Sequence, residues 1–270
     1  MTRILVVGRN SFLARRFAAL SEFAEDCRLV SHREAFKPLV FNDIDCVINF
    51  ARHPDYSGRP YGEKRDFDVQ LARKLLDANV RYVMLSSRAV YSPEVAMGAD
   101  EATMAVGANT YGRNKAITEN NLRKLFQDRL TVLRISNVMG NEFGAGRPTF
   151  MSLALDRLKS RQEIRLDIDP SVRRDFLPDY KLVATLDAVL REPAGGTINV
   201  GSGIPTPVGD IANWLIEGYG GGRTVVTDNR IFDEFVLNVD RLRSIHGITT
   251  TSEEIASHCR SIGAQLRPSD

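Results

Sequence analysis

The chain has 270 residues, of which 43% are hydrophobic and 26% charged, a composition that argues against a mainly disordered protein. Its 36 basic and 34 acidic residues leave a formal charge of +2, so neither nucleic acid nor a membrane surface is expected as the principal partner. The three cysteines, at positions 27, 46 and 259, are widely spaced and support neither a disulfide framework nor a metal site.

The first half of the chain alternates short apolar runs with amphipathic segments. The opening run RILVVG is too short for the apolar region of a signal peptide, and no apolar run reaches the roughly 18 residues of a membrane span, so we expect a cytoplasmic protein. Near-continuous apolar strands separated by helices are typical of a parallel sheet covered on both faces. We predict a doubly wound, Rossmann-like α/β fold, with strands at 3–8, 27–31, 45–50, 80–87 and 130–136 and helices at 11–20, 62–79 and 111–127.

The pattern loosens after Gly140. Long excursions from a nucleotide-binding core usually build a substrate lobe. We predict a dinucleotide-binding core over 1–140 and a smaller C-terminal substrate-binding lobe over 141–270, in which about 180–217 return to the core. The elements expected there are helices at 149–160, 180–191 and 207–220 and strands at 163–168 and 196–203.

The turn after the first strand, GRNSFLA, has the spacing of a G-x-x-G-x-x-G phosphate loop, with Gly8, Ser11 and Ala14 at the three positions. Ser11 replaces the second glycine, but its amide and hydroxyl can both face a phosphate at the helix N-terminus. A purely structural strand-to-helix turn is the alternative. The expected cofactor contacts are Gly8, Arg9, Asn10, Ser11, Phe12 and Leu13, with Phe50 and Ala51 after the third strand.

The second strand ends at Ser31, His32 and Arg33, where an NAD-binding site usually carries a carboxylate for the ribose hydroxyls. A guanidinium can instead bind a 2′-phosphate through paired, charge-assisted hydrogen bonds, and Arg9 supplies a second one within the phosphate loop. We therefore expect NADP as the cofactor, with NAD as the alternative. The alternative is that Arg9 and Arg33 are ordinary solvated surface charges.

The stretch NTYGRNKAIT places Tyr111 four residues before Lys115, so both side chains share one face of a predicted helix. A phenol with a pKa of about 10 is a poor base at neutral pH, and a neighbouring ammonium stabilises its deprotonated form. The spacing also occurs by chance, so the surrounding segments decide its meaning.

Taken together, these segments resemble an extended short-chain dehydrogenase/reductase of the nucleotide-sugar epimerase, dehydratase and reductase branch. The resemblance covers nearly the whole chain and rests on VVGRNSFLA, VINFAR, VMLSSRAVYS, YGRNK, LRISNVMG, RRDFLPDY and INVGSG in the family's order. It implies that Tyr111 is the general acid/base, that Lys115 also binds the nicotinamide ribose, and that Ser87 hydrogen-bonds the reacting oxygen.

The resemblance also implies substrate contacts. Asn137 matches a residue that contacts the nucleotide-sugar phosphates, and Arg174 and Arg230 match arginines that hold the pyrophosphate, although either could be a structural ion pair. Arg88 is also expected at the substrate. Arg88 and Ala89 replace the Asp-Glu pair of the sugar 4,6-dehydratases, which disfavours elimination of water.

Three departures from the family pattern change the expected site. Little chain separates strands two and three, so a strand and helix common in relatives should be shortened or absent there. Asp68 replaces an asparagine near the nicotinamide, and DIDPSV replaces a G-D-G motif. We expect the adenine pocket and the sugar contacts to differ accordingly.

The first hypothesis for function is an NADPH-dependent reductase of a keto group on a nucleotide-activated deoxysugar. The second is a nucleotide-sugar epimerase with tightly bound NAD(P), and the third is a non-catalytic NADP-binding sensor. Relatives often dimerise through the helix at 111–127, so a homodimer is one expected arrangement. Its apolar residues, Ile117, Leu122, Leu125 and Phe126, could equally pack internally.

Overall fold

A computed structural model describes residues 3–37, 41, 43–76, 78–146 and 148–267. The strands are β1 (Ile4–Val7), β2 (Cys27–Val30), β3 (Cys46–Asn49), β4 (Arg81–Ser87), β5 (Met97–Ala99), β6 (Leu130–Ile135), β7 (Asn137–Met139), β8 (Glu163–Leu166), β9 (Arg173–Pro178), β10 (Gly196–Val200), β11 (Pro205–Pro207), β12 (Arg223–Val226) and β13 (Val236–Leu237). The helices are α1 (Phe12–Leu20), α2 (Phe67–Lys74), α3 (Thr110–Phe126), α4 (Phe150–Arg161), α5 (Asp179–Arg191), α6 (Val208–Tyr219), α7 (Asp240–His246) and α8 (Ser252–Ala264).

Six parallel strands form the central sheet in the order β10-β6-β4-β3-β1-β2, which confirms the predicted doubly wound α/β fold. Alternate residues of β1 enter different clusters of apolar side chains: Ile4 and Val6 pack with α1 and α5, whereas Leu5 and Val7 pack with α2 and α3. Because successive side chains of a strand point to opposite faces, the sheet is covered on both sides.

The order of the sheet reverses beside β1, because the chain passes from β1 outward to β2 and then back to β3 on its other side. Open α/β sheets bind ligands outside the carboxyl ends of the strands at such a reversal. The residues that follow β1 and β3 are the loop beginning at Gly8 and the segment beginning at Phe50.

The second half of the chain adds a separate apolar cluster and three small sheets. The cluster combines side chains from α4, α6 and α8 with those of β8. The small sheets are β11-β9-β7, β12-β8 and β13-β5, while β10 joins the central sheet beside β6. The boundary proposed at residue 140 stays a prediction.

The helix expected over 62–79 is shorter than predicted. It begins after Asp66, whose carboxylate accepts the backbone N–H of Val69, and ends at Lys74. The preceding residues 63–65 form a single separate turn, and Asp77 lies outside the described residues. Between β2 and β3, the described residues contain only one helical turn, Glu34–Phe36, as the short spacing predicts.

The apolar residues of α3 that could mediate a dimer differ in their exposure. Leu122 and Phe126 are buried against the sheet and Leu125 is partly buried with them, whereas Ile117 is exposed. Three of the four apolar residues therefore pack internally. Within the described part of the chain, no helix combines the length and apolarity needed to cross a bilayer.

Candidate active site

A cavity of about 670 Å³ lies at the carboxyl ends of β1, β3 and β4, where the reversal of the sheet predicts a ligand. Its wall brings together residues that the sequence places far apart. The predicted site residues that line it are Asn10, Ser11, Phe12, Leu13, Phe50, Ala51, Ser87, Tyr111, Lys115, Asn137 and Arg174.

The loop after β1 has the form of a phosphate cradle. Gly8 has a φ of +99°, and a Cβ added there would lie 2.8 Å from the backbone nitrogen of Ala51. Glycine is therefore required both for the turn and for the close approach of the segment after β3. Ser11 caps α1, because its hydroxyl accepts the backbone N–H of Ala14. The N-terminus of α1 borders the cavity and suits an anionic phosphate.

Tyr111 lies in the first turn of α3, which begins after the cap residue Asn109. The next residue, Gly112, touches the turn that follows Ser87: a Cβ on Gly112 would lie 1.8 Å from the carbonyl oxygen of Ala89. Only glycine lets α3 approach the turn after β4 this closely. The contact brings Tyr111 and Ser87, which are distant in sequence, to one cavity.

Lys115 is almost fully buried, with 8% of its side chain exposed. Its Nζ donates to the carbonyl oxygen of Leu85 at 2.8 Å and lies 3.4 Å from Oδ2 of Asp68. Burial is the largest single influence on the pKa of Lys115 and lowers it, but the charge and hydrogen bond of Asp68, together with the nearby Tyr111 and Asp66, outweigh burial and the pKa is raised. The ammonium is therefore kept protonated beside Tyr111.

Asp68 is held by the strands beneath the site. Its Oδ1 accepts hydrogen bonds from Nδ2 of Asn49 at 2.8 Å and from the hydroxyl of Tyr82 at 2.9 Å. The Oδ1 of Asn49 accepts the backbone N–H of Ala51 in turn. The cofactor-side segment after β3 and the Lys115 ammonium are thus connected through two polar side chains.

A second acid lies next to Asp68. Asp66 accepts a hydrogen bond from the hydroxyl of Thr118 at 2.6 Å. Burial, together with the charge of Asp68, raises the pKa of Asp66. Two neighbouring carboxylates in a buried region favour neutralisation of one of them, and the charge of Lys115 opposes this at Asp66 only in part.

The end of the site expected to bind adenosine is arranged differently from the prediction. Arg9, Ser31, His32 and Arg33 do not line the cavity within the described residues. Arg9 forms an ion pair of 2.7 Å with Glu34, whose carboxylate also accepts the backbone N–H of Ser31. These hydrogen bonds, with Ser31 as the largest contributor, lower the pKa of Glu34 to about 2.

Glu34 was missed by the sequence analysis. An acid three residues beyond Ser31 can reach the end of β2 once the chain turns. That spacing could have indicated Glu34 from the sequence. Nearby, His32 stacks on Phe67 with ring centroids 5.1 Å apart, and Arg33 lies exposed at the start of the turn.

The predicted substrate residues divide into two groups. Asn137 and Arg174 line the cavity, whereas Arg88 and Arg230 do not. Arg88 makes two hydrogen bonds of 2.6 and 2.7 Å to Asp233, and its guanidinium lies 3.7 Å from the ring centroid of Phe235.

Arg174 contacts the same acid, with Nη2 3.4 Å from Oδ2 of Asp233 and Nε donating to the Asp233 carbonyl oxygen. Burial lowers the pKa of Arg174. The Arg230 side chain is 72% exposed and pairs with Asp228. Asp233 therefore joins two of the three predicted arginines, while Arg230 lies apart from them.

Several cavity residues were not predicted from the sequence. Arg15 and Arg52 add positive charge, and Glu142 adds a buried carboxylate that accepts a hydrogen bond from the hydroxyl of Thr149. Arg52 follows Ala51 directly, so its position in the chain was a usable signal. The others come from helix faces and loops whose direction depends on the tertiary fold.

Known proteins resemble the chain in sequence pattern and in fold. The model of a family described as the NAD dependent epimerase/dehydratase family matches residues 4–201. No curated protein matches the sequence significantly.

Solved structures with a similar fold include nucleotide-sugar enzymes. The UDP-N-acetylglucosamine 4-epimerase from Methanobrevibacter ruminantium M1, in complex with UDP-N-acetylmuramic acid, has a TM-score of 0.83 and 16% identity, covering 97% of each chain. A UDP-glucuronic acid 4-epimerase mutant from Bacillus cereus, bound to a fluorinated UDP-glucuronic acid analogue and NAD, has a TM-score of 0.79 and 15% identity, covering 97% of this chain and 98% of its own.

A dTDP-glucose 4,6-dehydratase from Bacillus anthracis str. Ames, in complex with NAD, has a TM-score of 0.76 and 16% identity, covering 98% of this chain and 97% of its own. At such low identity these structures establish a common fold and no more.

Proposed function

Because the chain belongs to the NAD dependent epimerase/dehydratase family, we propose that it transfers a hydride between a nicotinamide dinucleotide and a carbon atom of a nucleotide-activated sugar. The observation that carries the proposal is the presence of Tyr111, Lys115 and Ser87 on the wall of one cavity, at the carboxyl ends of the parallel strands. A phenol with an adjacent ammonium is suited to acid–base work on a carbonyl or alcohol oxygen.

The residues around the phosphate loop suit a dinucleotide. The N-terminus of α1, with Asn10, Ser11, Phe12 and Leu13, borders the cavity, and Gly8 leaves room for the segment after β3. These residues would hold the pyrophosphate, and Phe50 and Ala51 would border the cofactor. The nicotinamide, when bound, supplies or accepts the hydride.

The chain's own groups perform the proton transfer. Tyr111 donates a proton to the oxygen as a carbonyl is reduced and takes one as an alcohol is oxidised. Ser87 hydrogen-bonds the same oxygen, and the charge of Lys115 favours the deprotonated phenol. Arg174 and Asn137 would bind the phosphates of the substrate at the other end of the cavity.

For the net reaction, we propose reduction of a keto group on a nucleotide-activated deoxysugar by NADPH. Arg9 and Arg33 near the end of β2 supply the positive charge that a 2′-phosphate would need. At Arg88 and Ala89 there is no acid–base pair for elimination of water. Asp233 engages Arg88, which further removes that side chain from acid–base chemistry.

An epimerase with bound NAD is the second candidate, and Glu34 is the observation that favours it. Its carboxylate occupies the end of β2 and pairs with Arg9, so it would repel a 2′-phosphate and could accept ribose hydroxyls instead. Two of the similar structures described above also contain NAD.

The test is a product assay on the purified protein. A panel of UDP-, dTDP- and GDP-linked sugars and their keto-deoxy derivatives is incubated with NAD, NADH or NADPH, and each product is analysed by mass spectrometry. The reductase consumes reduced nicotinamide and adds two hydrogens to the sugar. An epimerase instead interconverts the parent nucleotide sugars without a change of mass, detected by NMR. Absence of both outcomes across the panel would contradict the proposal.

A further inference from the structure

Arg52 places a second positive charge beside the ring of Tyr111, in addition to that of Lys115. It follows the cofactor-side segment after β3 and lines the same cavity as the phenol. Its guanidinium carbon lies 5.3 Å from the centroid of the Tyr111 ring, over the face of the ring. The rings of Tyr56 and Tyr111 pack in a T-shaped arrangement with their centroids 6.2 Å apart. Tyr111 therefore has a cation on its face and an aromatic ring beside it.

The charge of Lys115 is partly cancelled, which makes a second cation significant. Lys115 Nζ and Asp68 Oδ2 are 3.4 Å apart, and both side chains are less than 10% exposed. A nearby ammonium and carboxylate form a dipole whose field at a third group is weaker than that of the ammonium alone. Lys115 with Asp68 therefore favours a deprotonated Tyr111 less than an isolated lysine would.

We propose that Arg52 is a positioning residue for Tyr111, one that stabilises the deprotonated phenol and restores the positive field that Asp68 withdraws from Lys115. The proposal rests on the function proposed above, in which Tyr111 exchanges a proton with the substrate. A guanidinium over an aromatic face attracts the neutral ring weakly and the phenolate more strongly, because the phenolate adds a full negative charge. The same contact limits the orientations of the ring.

The other groups around Tyr111 do not supply this positive charge. Burial raises the pKa of Tyr56, so that phenol stays neutral at physiological pH. Asp66 and Asp68, from the start of α2, contribute negative charge or none. Ser87, which lines the same cavity, is uncharged. Among the described residues of this cavity wall, Arg52 and Lys115 are thus the cations next to the phenol.

The experiment measures deprotonation of Tyr111 directly, by the near-ultraviolet absorbance of tyrosinate in the full chain. The chain contains seven tyrosines, so each titration is repeated in a Tyr111→Phe background and the difference isolates Tyr111. Arg52→Gln should raise the pH at which Tyr111 is half deprotonated, because the variant loses a positive charge that lies over the ring. Arg52→Lys keeps the charge and should restore most of the difference.

Arg59→Gln is the matched control, because Arg59 is an exposed arginine of the same segment that pairs with Asp55. It should leave the Tyr111 titration unchanged. Equal titration of Tyr111 in Arg52→Gln and the parent protein would overturn the proposal, and so would an equal shift in Arg59→Gln.

This readout requires neither cofactor nor substrate, which separates the inference from the proposed function. A shifted Tyr111 titration with no turnover of any nucleotide sugar would reject the function and retain the role of Arg52 on the phenol. Turnover of a nucleotide sugar with an unshifted Tyr111 titration would retain the proposed function and reject the role of Arg52. In an active enzyme, the pH above which carbonyl reduction is lost should be higher in Arg52→Gln than in the parent protein. It should rise together with the midpoint of the tyrosinate absorbance titration.

Discussion

Lys115 and Asp68 form an ion pair almost without contact with water: Nζ and Oδ2 are 3.4 Å apart, and 8% and 7% of the two side chains are exposed. The pair joins the helix carrying Tyr111 to the start of α2. A lysine buried in this way needs its carboxylate, because a lone buried charge carries a large desolvation penalty.

Replacement of Asp68 by asparagine should move the alkaline limit of catalysis to lower pH. The pKa of Lys115 is the result of burial, which lowers it, and of nearby acidic groups that together raise it by more, with Asp68 as the largest of them. Without the carboxylate, burial loses its strongest opponent, so the ammonium loses its proton at a lower pH. Activity that requires protonated Lys115 should then be lost at a lower pH than in the parent protein.

The measurement for Asp68→Asn is the pH dependence of kcat for carbonyl reduction. Asp45→Asn is a suitable control, since Asp45 is an exposed acid that pairs with Arg3 at a distance from the site. An alkaline limit that stays at the same pH in Asp68→Asn would show that the ion pair does not set the charge of Lys115.

Tyr111→Phe should remove proton transfer while preserving the packing of the ring. General acid–base catalysis contributes about 10²- to 10⁴-fold, so kcat should fall by that amount. Loss of a single hydroxyl should change cofactor affinity by no more than about tenfold, as measured by calorimetry. Tyr219→Phe, in the apolar cluster of α4, α6 and α8, is the control and should retain activity. Normal turnover by Tyr111→Phe would disprove the assignment.

Arg33 should determine the choice between NADPH and NADH. A charge-assisted hydrogen bond to a 2′-phosphate contributes about 1.5–3 kcal/mol, so Arg33→Ala should weaken NADPH binding roughly 10- to 100-fold and leave NADH binding almost unchanged. Arg73→Ala, which removes an exposed arginine paired with Glu63, serves as the control. Equal affinity of the parent protein for the two cofactors would favour the epimerase.

Glu34→Gln should act in the opposite direction. The substitution removes a negative charge while retaining an oxygen that can accept the backbone N–H of Ser31. It also releases Arg9 from its ion pair. We expect NADPH to bind up to about tenfold more tightly, with little change for NADH, in competition titrations. Weaker NAD binding by this variant would instead assign Glu34 to the ribose hydroxyls.

The central sheet was predictable because its strands are nearly uniform apolar runs. In β1 all four residues are buried, and the sequence places a glycine directly after them. Of the strands in the small sheets, β8 lies within the strand expected over 163–168, but β7 and β11 were not predicted. These two have three residues each, and their pairing with β9 comes from parts of the chain that are distant in sequence. Helix α8 was also missed, although its capping box, Thr251 with Glu254, is readable as a helix start.

The candidate site was predicted where a motif fixes both residue type and spacing. Tyr111 and Lys115 are one helical turn apart, and their common face follows from that spacing alone. The contacts of Glu34 with Arg9 and of Arg52 with Tyr111 depend instead on the paths of two connections after β2 and β3. Local sequence preferences do not determine those paths, so the charge around the cofactor and the phenol required the structure.

Glu119→Gln should destabilise the fold beneath the active site. Glu119 is fully buried and accepts hydrogen bonds from the guanidinium of Arg134, at 2.8 and 3.2 Å, and from the hydroxyl of Ser86, at 2.6 Å. Glutamine cannot neutralise the buried guanidinium. Breaking one partner of a buried pair costs about 3–5 kcal/mol, so the free energy of unfolding at neutral pH should fall by that amount in urea denaturation.

The loss should diminish in acid. Burial is the largest single influence and would raise the pKa of Glu119, but the hydrogen bonds and charge of Arg134, together with Ser86 and Arg123, outweigh burial and hold the pKa below the usual value. A carboxylate with a depressed pKa stabilises the fold above the unfolded pKa, and this contribution disappears as pH falls through the folded pKa. The parent and variant unfolding energies should therefore converge in strongly acidic solution. The exposed control Glu253→Gln should change stability little at either pH, and an equally small change for Glu119→Gln at neutral pH would contradict a stabilising role for this buried pair.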